Sequence, residues 1–127
     1  MPGGMPSIRI LLDQNAPFGL RRLLTGHAVA TAAGLGWSTI HNGNLIRAAE
    51  AAGFAVLITC DQNIRYQQNL AGRHLALIEL TTNRWAIIRE NIADVLAIIE
   101  TAAPGSYSTV CFPKPTRRRR PYPRLEC

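Results

Sequence analysis

Short apolar runs alternate with helical patterns from Ile8 to Ile99, and this alternation constrains the fold more than any other feature of the chain. Four of the runs predict strands: Ile8–Leu12, a run near Ala28–Ala32, Ala55–Thr59 and Leu75–Leu80. Apolar strands separated by helices are typical of βαβ units, in which helices cover both faces of a parallel sheet. We therefore expect a three-layer α/β/α fold whose central, mainly parallel sheet has four strands or slightly more.

Helical patterns with recognisable ends lie between these runs. They predict a helix over Ala16–Leu24 with Asn15 as N-cap, a helix opened by Asn42 or Asn44 and closed by Gly53, a short helix that follows Asp61 and runs to about Leu70, and one long helix over Arg84–Ala102. The apolar positions of the last helix exceed one narrow stripe. That helix therefore either lies between the sheet and a neighbouring helix or serves as the face of a homodimer.

The character of the chain changes after Ala103, where five prolines interrupt any periodicity and four arginines follow one another at 117–120. A length of 127 residues, 47% of them hydrophobic, suits a single domain. We predict a domain over residues 1–103 and a flexible, basic, Pro/Arg-rich tail over 104–127. The tail carries six of the basic residues and one acid, so it accounts for +5 of the net charge of +6. The basicity of the whole chain therefore says little about the folded part.

Cysteine usage and the N-terminal residues bear on the cellular compartment. The three cysteines are an odd number without a CxxC pair, which predicts neither a zinc site nor a disulfide framework. Residues 1–7 do not resemble a signal peptide, and no apolar stretch reaches the roughly 18 residues of a membrane-spanning helix. We expect a cytoplasmic protein without membrane contact.

Two aspartates follow strands of the predicted sheet. Asp13 comes directly after the first strand and Asp61 closely after the third, although the chain holds only eight acidic residues. Because ligands of open α/β sheets bind beyond the carboxyl ends of the strands, the two carboxylates are candidates for a site that holds Mg²⁺ or Mn²⁺. A cation held there can activate water for attack on a phosphodiester. Helix capping is an equal alternative, since the triplet Asp-Gln-Asn occurs at both junctions.

Further polar residues fall near the same edge. Arg65, on the helix after Asp61, and Arg84, after the fourth strand, are candidate phosphate contacts or parts of ordinary polar helix faces. Glu79, one residue before the end of the fourth strand, is either a third acid of the site or an ion-pair partner. The chain has no phosphate-binding GxxxxGK[ST] loop and no complete dinucleotide-binding glycine pattern, so the sequence does not predict a nucleotide-binding protein.

The order of three segments resembles the small PIN-like domains described as toxin components of bacterial toxin–antitoxin pairs. These segments are Ile10–Asp13, Gly26–Val29 and Leu57–Asn63, and the resemblance covers about Ile8 to Ile99. It implies an Mg²⁺- or Mn²⁺-dependent ribonuclease that cleaves single-stranded RNA and is inhibited by an antitoxin protein. Asp13 matches the first acid of the family pattern, and Thr59 with Asp61 matches the start of its later motif.

Two positions depart from that pattern. The family has an acid at the opening of the helix before the third strand, where this chain reads His41, Asn42, Gly43 and Asn44. Asn63 stands where the later motif has its second aspartate. The resemblance therefore implies Asp13 and Asp61 as catalytic metal ligands and Asn63 as a neutral ligand, with Asn42, Asn44, Arg65 and Arg84 contacting substrate. The alternative is a degenerate PIN-like module that binds RNA or a protein partner without cleavage.

Overall fold

The computed structural model describes residues 8–40, 42–61 and 73–112. Its elements in chain order are β1 (Arg9–Leu12), α1 (Leu20–Leu23), β2 (Ala28–Thr31), α2 (Asn42–Ala51), β3 (Val56–Thr59), β4 (Ala76–Leu80), α3 (Trp85–Glu90), α4 (Ile92–Thr101) and β5 (Tyr107–Val110). The four predicted strands are all present, with ends within about one residue of the expected positions. The helix predicted to follow Asp61 and run to about Leu70 lies outside the described residues.

The sheet has five strands, all parallel, in the order β2-β1-β3-β4-β5. Both neighbours of β1 pair with it in register, so that Leu12 lies beside Thr31 of β2 and Ile58 of β3. The predicted α/β class with a parallel central sheet is confirmed. The order also places a change of direction between β1 and β3, because the chain leaves β1 toward one edge of the sheet and leaves β3 toward the other.

Different helices cover the two faces of the sheet. Side chains alternate along β1, so Ile10 and Leu12 pack in a core with α1, α3 and α4, whereas Leu11 packs in a second core with α2. Most side chains of both cores are aliphatic and fully buried, and burial of one leucine, isoleucine or valine contributes about 1.5–3 kcal/mol. The three layers predicted from the sequence are therefore present.

The fifth strand lies in the segment that the sequence predicted to be a flexible tail. Residues 107–110 pair with β4, and the amide of Leu77 donates a hydrogen bond to the carbonyl of Ser106 at 2.9 Å. Val110 and Phe112 are buried in the core beside β4. The prediction of disorder is wrong for these residues, and the sheet extends past residue 103. Residues 113–127 lie outside the described residues.

The long helix predicted over Arg84–Ala102 is two helices, α3 and α4, which meet at Asn91. This residue has φ −118°, and its side-chain amide donates a hydrogen bond to the carbonyl of Ile87 at 2.8 Å. The apolar periodicity continues across the break because both helices pack on the same core: Ile88, Val95 and Ile99 are buried there. These three positions are therefore buried within the domain. This agrees with the alternative in which the apolar face packs inside the domain.

Two further observations concern the compartment. Cys60 is a free thiol, whereas Cys111 is disulfide-bonded. Within the described ranges, none of the helices has the length and apolar character required to cross a bilayer.

Candidate functional site

The carboxyl ends of β1 and β3 form the crevice in which ligands of such sheets bind. For the strand order 2-1-3-4-5, the reversal between β1 and β3 marks the binding position. Asp13 follows β1 directly, and its amide donates a hydrogen bond to the carbonyl of Ile58 in β3 at 2.9 Å. This bond extends the ladder by one residue and places Asp13 beside Thr59, the last residue of β3.

The Thr59 hydroxyl connects the two strand ends. It is fully buried, donates a hydrogen bond to Oδ2 of Asp13 at 2.8 Å and accepts one from the backbone amide of Asp61 at 3.0 Å. The other carboxylate oxygen of Asp13 accepts the amide of Gln14 at 2.7 Å. The carboxylate of Asp13 is therefore held in one orientation beside the backbone of Asp61. Thr59 thus links the carboxylate of one aspartate that the sequence singled out to the backbone amide of the other.

Asn15 forms a second bridge between the same loops. Its side-chain oxygen accepts a hydrogen bond from the amide of Cys60 at 3.0 Å and lies 3.4 Å from the Thr59 hydroxyl. The sequence predicted Asn15 as the N-cap of a helix starting at Ala16, but α1 begins at Leu20 and follows Gly19, which makes no side-chain cap. That prediction is wrong because the amide group satisfies the β3 loop instead of a helix end. In the sequence, this role was indicated only by the presence of a polar residue, Asn15, close to the end of a strand.

Glu79 belongs to the same row across the sheet. It lies beside Thr59 in the register of β3 and β4, and it is only 4% exposed. Tyr107 of β5 donates a hydrogen bond to its carboxylate, and the hydroxyl of Thr109 donates one to the oxygen of Tyr107 at 3.2 Å. Adjacent strands are about 4.8 Å apart, so Asp13, Thr59 and Glu79 form a continuous polar row on the α2 side. The sequence flagged Glu79 but could not find its partner, because Tyr107 lay in the predicted tail.

The pKa of Cys60 is changed by its burial and by the charges of the neighbouring polar row. Burial, together with the negative charges of Asp13 and Glu79, raises the pKa of this thiol to about 12. The thiol donates a hydrogen bond to the carbonyl of Thr82 at 3.3 Å. Cys60 is therefore protonated at neutral pH and unsuited to nucleophilic attack or metal ligation, since both require the thiolate.

The predicted substrate-contact residues occupy different positions. Asn44 is exposed in the first turn of α2, and its side-chain oxygen accepts a hydrogen bond from Arg47. Arg84 is exposed at the start of α3, in the loop that leaves β4 at the same carboxyl edge. Asn42 is the first residue of α2, and its side chain is outside the description, as are Asn63 and Arg65.

Glu50, the acidic residue of α2, lies at the other end of the sheet. It forms an ion pair with Arg73 at 3.0 Å and accepts a hydrogen bond from the amide of His74 at 2.5 Å, just before β4 begins. The His74 amide and the Arg73 charge lower the pKa of Glu50, although partial burial opposes them. Glu50 therefore stabilises the contact between α2 and β4 and does not replace the acid that is absent at the opening of α2.

The side chains at the carboxyl edge fit a hard divalent cation only if two protein carboxylates suffice to bind it. Over residues 8–40, 42–61 and 73–112, no three side chains of the His, Cys, Asp and Glu types lie close enough together to hold a metal ion. Glu79 is therefore not a third ligand beside the aspartates. Two carboxylates can satisfy Mg²⁺ when water and substrate phosphate complete its coordination, and Asp13 and Asp61 would be the residues to supply them.

The fold and site define a doubly wound, all-parallel α/β protein with a carboxylate site at its switch point. No protein-family model, no curated protein and no solved structure matches the chain.

Proposed function

We propose that this chain is a metal-dependent endoribonuclease of the PIN-like type that cleaves single-stranded RNA. The proposal extends to its acting in the cytoplasm as the toxin of a toxin–antitoxin pair. The main support is the buried Thr59 hydroxyl, which holds the carboxylate of Asp13 next to the backbone of Asp61 at the switch point. A fully buried hydroxyl that orients a partly exposed carboxylate is expected where that carboxylate must be positioned accurately for chemistry.

Each residue has a defined role under this proposal. Asp13 and Asp61 would hold Mg²⁺ or Mn²⁺, with Asn63 as a neutral ligand, and the bound cation would activate water and neutralise charge on the phosphate. Thr59 is a positioning residue that fixes Oδ2 of Asp13. Asn42 and Asn44 at the start of α2, with Arg65 and Arg84, would contact the RNA.

The second candidate function is a PIN-like module that binds RNA or a protein partner without cleaving. The described residues contain no group of three metal ligands, which favours this alternative. The position of Glu50 at the opposite end of the sheet also favours it, because α2 then contributes no carboxylate to the site.

An assay for cleavage of a mixed single-stranded RNA by the partner-free protein distinguishes the nuclease from the binding module. We expect cleavage with Mg²⁺ or Mn²⁺, none with chelator, and none from the Asp13→Asn or Asp61→Asn variant. Asp94→Asn is the matched control, since Asp94 is exposed on α4 and far along the chain from the site. Circular dichroism establishes that each variant is folded. Full cleavage by Asp61→Asn would exclude the proposed site, and absence of cleavage by the folded wild type would favour the binding module.

A further inference from the structure

Phe18 exposes an aromatic ring at the edge of the sheet that carries the aspartates. Its exposed fraction is 63%, and Leu35, at 41%, is the other large exposed hydrophobic residue in the described part of the chain. A single exposed apolar side chain is common on protein surfaces and indicates no function by its exposure alone. The position of Phe18 and its contact with Arg21 are what indicate a binding role.

The loop between β1 and α1 joins Phe18 to Asp13 through a separation of five residues. Two turns compact this loop: the amide of Ala16 donates to the carbonyl of Asp13 at 3.0 Å, and the amide of Leu20 donates to the carbonyl of Pro17 at 3.1 Å. Five residues span at most about 18 Å when extended, and these turns shorten that distance. Phe18 is therefore within reach of a short single strand whose phosphodiester lies at Asp13.

Packing fixes the same loop on the domain. Gly19 lies so close to Trp85 that a Cβ at this position would come within 2.7 Å of the indole ring. Leu20, the next residue, is fully buried. The ring of Phe18 is thus presented from a rigid base, which reduces the entropy lost when a ligand binds to it.

Arg21 adds a positive charge to the exposed ring. Its guanidinium carbon lies 4.9 Å from the centroid of Phe18, within the range of a cation–π contact. Arg22 is also exposed on α1. An aromatic face beside guanidinium groups is the combination that binds unpaired nucleic acid, because bases stack on the ring while the cations meet the phosphates.

We propose that Phe18 and Arg21 form a stacking subsite for one unpaired nucleobase of the strand that enters the Asp13 site. The subsite rests on the proposed RNA-directed function and names how the substrate is held. Stacking uses the π-face that every base has, so this subsite selects single-stranded over double-stranded nucleic acid and reads little sequence. It does not read the sugar, so RNA and DNA single strands of the same sequence are both held by it.

Binding of a short single strand that contains 2-aminopurine tests the subsite, with chelator present so that no cleavage occurs. We expect quenching of its fluorescence by the wild type and about 10-fold weaker binding by Phe18→Ala, as base stacking on one aromatic residue predicts. Phe18→Trp should keep the affinity and the quenching. Leu35→Ala is the control and should bind as the wild type does. A single-stranded DNA of the same sequence should lose affinity in Phe18→Ala by the same factor, whereas a duplex should show no dependence on Phe18.

The outcomes separate this proposal from the proposed catalytic function. Equal affinity of Phe18→Ala and wild type, an equal loss in Leu35→Ala, or no binding of single strands by the wild type would each overturn the subsite. Phe18-dependent binding by a wild type that cleaves nothing would support the subsite and reject the nuclease. Cleavage with an unchanged KM in Phe18→Ala would reject the subsite and leave the nuclease standing.

Discussion

The hydroxyl of Thr59 donates a hydrogen bond to Oδ2 of Asp13 at 2.8 Å, joining residues 46 positions apart in the sequence. The bond crosses from β3 to β1 at the point where the strand order reverses. One buried oxygen atom therefore connects the two halves of the sheet and also fixes the orientation of the Asp13 carboxylate.

Replacing Thr59 with valine removes this hydroxyl and keeps the shape of the side chain. We expect the fold to persist with a loss of about 1.5–3 kcal/mol in the free energy of unfolding, because the hydroxyl donates to a charged carboxylate and also accepts the amide of Asp61. Any metal-dependent cleavage should fall about 10-fold or more, because the Asp13 carboxylate is then free to rotate. Urea unfolding and cleavage rates measure the two effects.

Thr31→Val is the matched control for that change. Thr31 ends β2, and its hydroxyl accepts the amide of Gly34 within its own loop at 2.9 Å. A smaller stability loss, of about 0.5–1.5 kcal/mol, with unchanged cleavage is expected. Equal losses of cleavage in both variants would mean that Thr59 acts only through stability.

Tyr107→Phe removes the hydrogen bond that the phenol donates to the buried carboxylate of Glu79. We expect a loss of about 1–3 kcal/mol in the free energy of unfolding, since a buried acceptor loses a donor. Glu79→Gln in the same background measures the coupling by a double-mutant cycle. Additive effects of the two substitutions would show that the residues do not stabilise the protein through each other.

The sequence predicted the sheet well and the site only in part, for physical reasons that differ between residues. Strands buried on both faces, such as β3, are almost wholly apolar and easily recognised, whereas β5 reads Tyr-Ser-Thr-Val because it is an edge strand with partly exposed positions. The aspartates were recognisable from their positions after strands. The roles of Thr59 and Tyr107 depend on partners 46 and 28 residues away, and no local pattern contains them.

The break at Asn91 illustrates the same limit within one helical segment. Apolar residues recur at helical spacing through the break because α3 and α4 bury the same side against one core. The local preference of Asn91 for bonding its side chain to the backbone, here to Ile87, interrupts the helix without disturbing that periodicity.

Glu50→Gln should destabilise the protein at neutral pH in a manner that depends on pH. The pKa of Glu50 is lowered in the folded state from an ordinary value of 4.5, so its charged form stabilises the fold above that value. This contribution falls as the pH drops below 4.5 and through the folded pKa. The difference between wild type and variant should therefore shrink toward zero in acid unfolding curves.

A matched substitution separates this effect from a general loss of charge. Glu90→Gln removes an exposed acid at the end of α3, with no ion pair to it among the described residues. We expect its stability to follow that of the wild type across the same pH range. A constant difference between Glu50→Gln and wild type down to pH 2 would contradict the role given to the His74 amide and Arg73.

Gly19→Ala tests the packing of the β1–α1 loop on which Phe18 stands. Gly19 has φ −63° and ψ −15°, so alanine fits the backbone and would gain about 0.4–1 kcal/mol by restricting the unfolded chain. Its Cβ, however, would lie 2.7 Å from the Trp85 ring, and overpacking of this kind costs about 1–3 kcal/mol. We therefore expect net destabilisation in thermal unfolding. Trp85→Leu in the Gly19→Ala background should cost less than Trp85→Leu alone, because the clash has been removed. Additive losses, or a stabilised Gly19→Ala variant, would mean that the indole does not hold the loop.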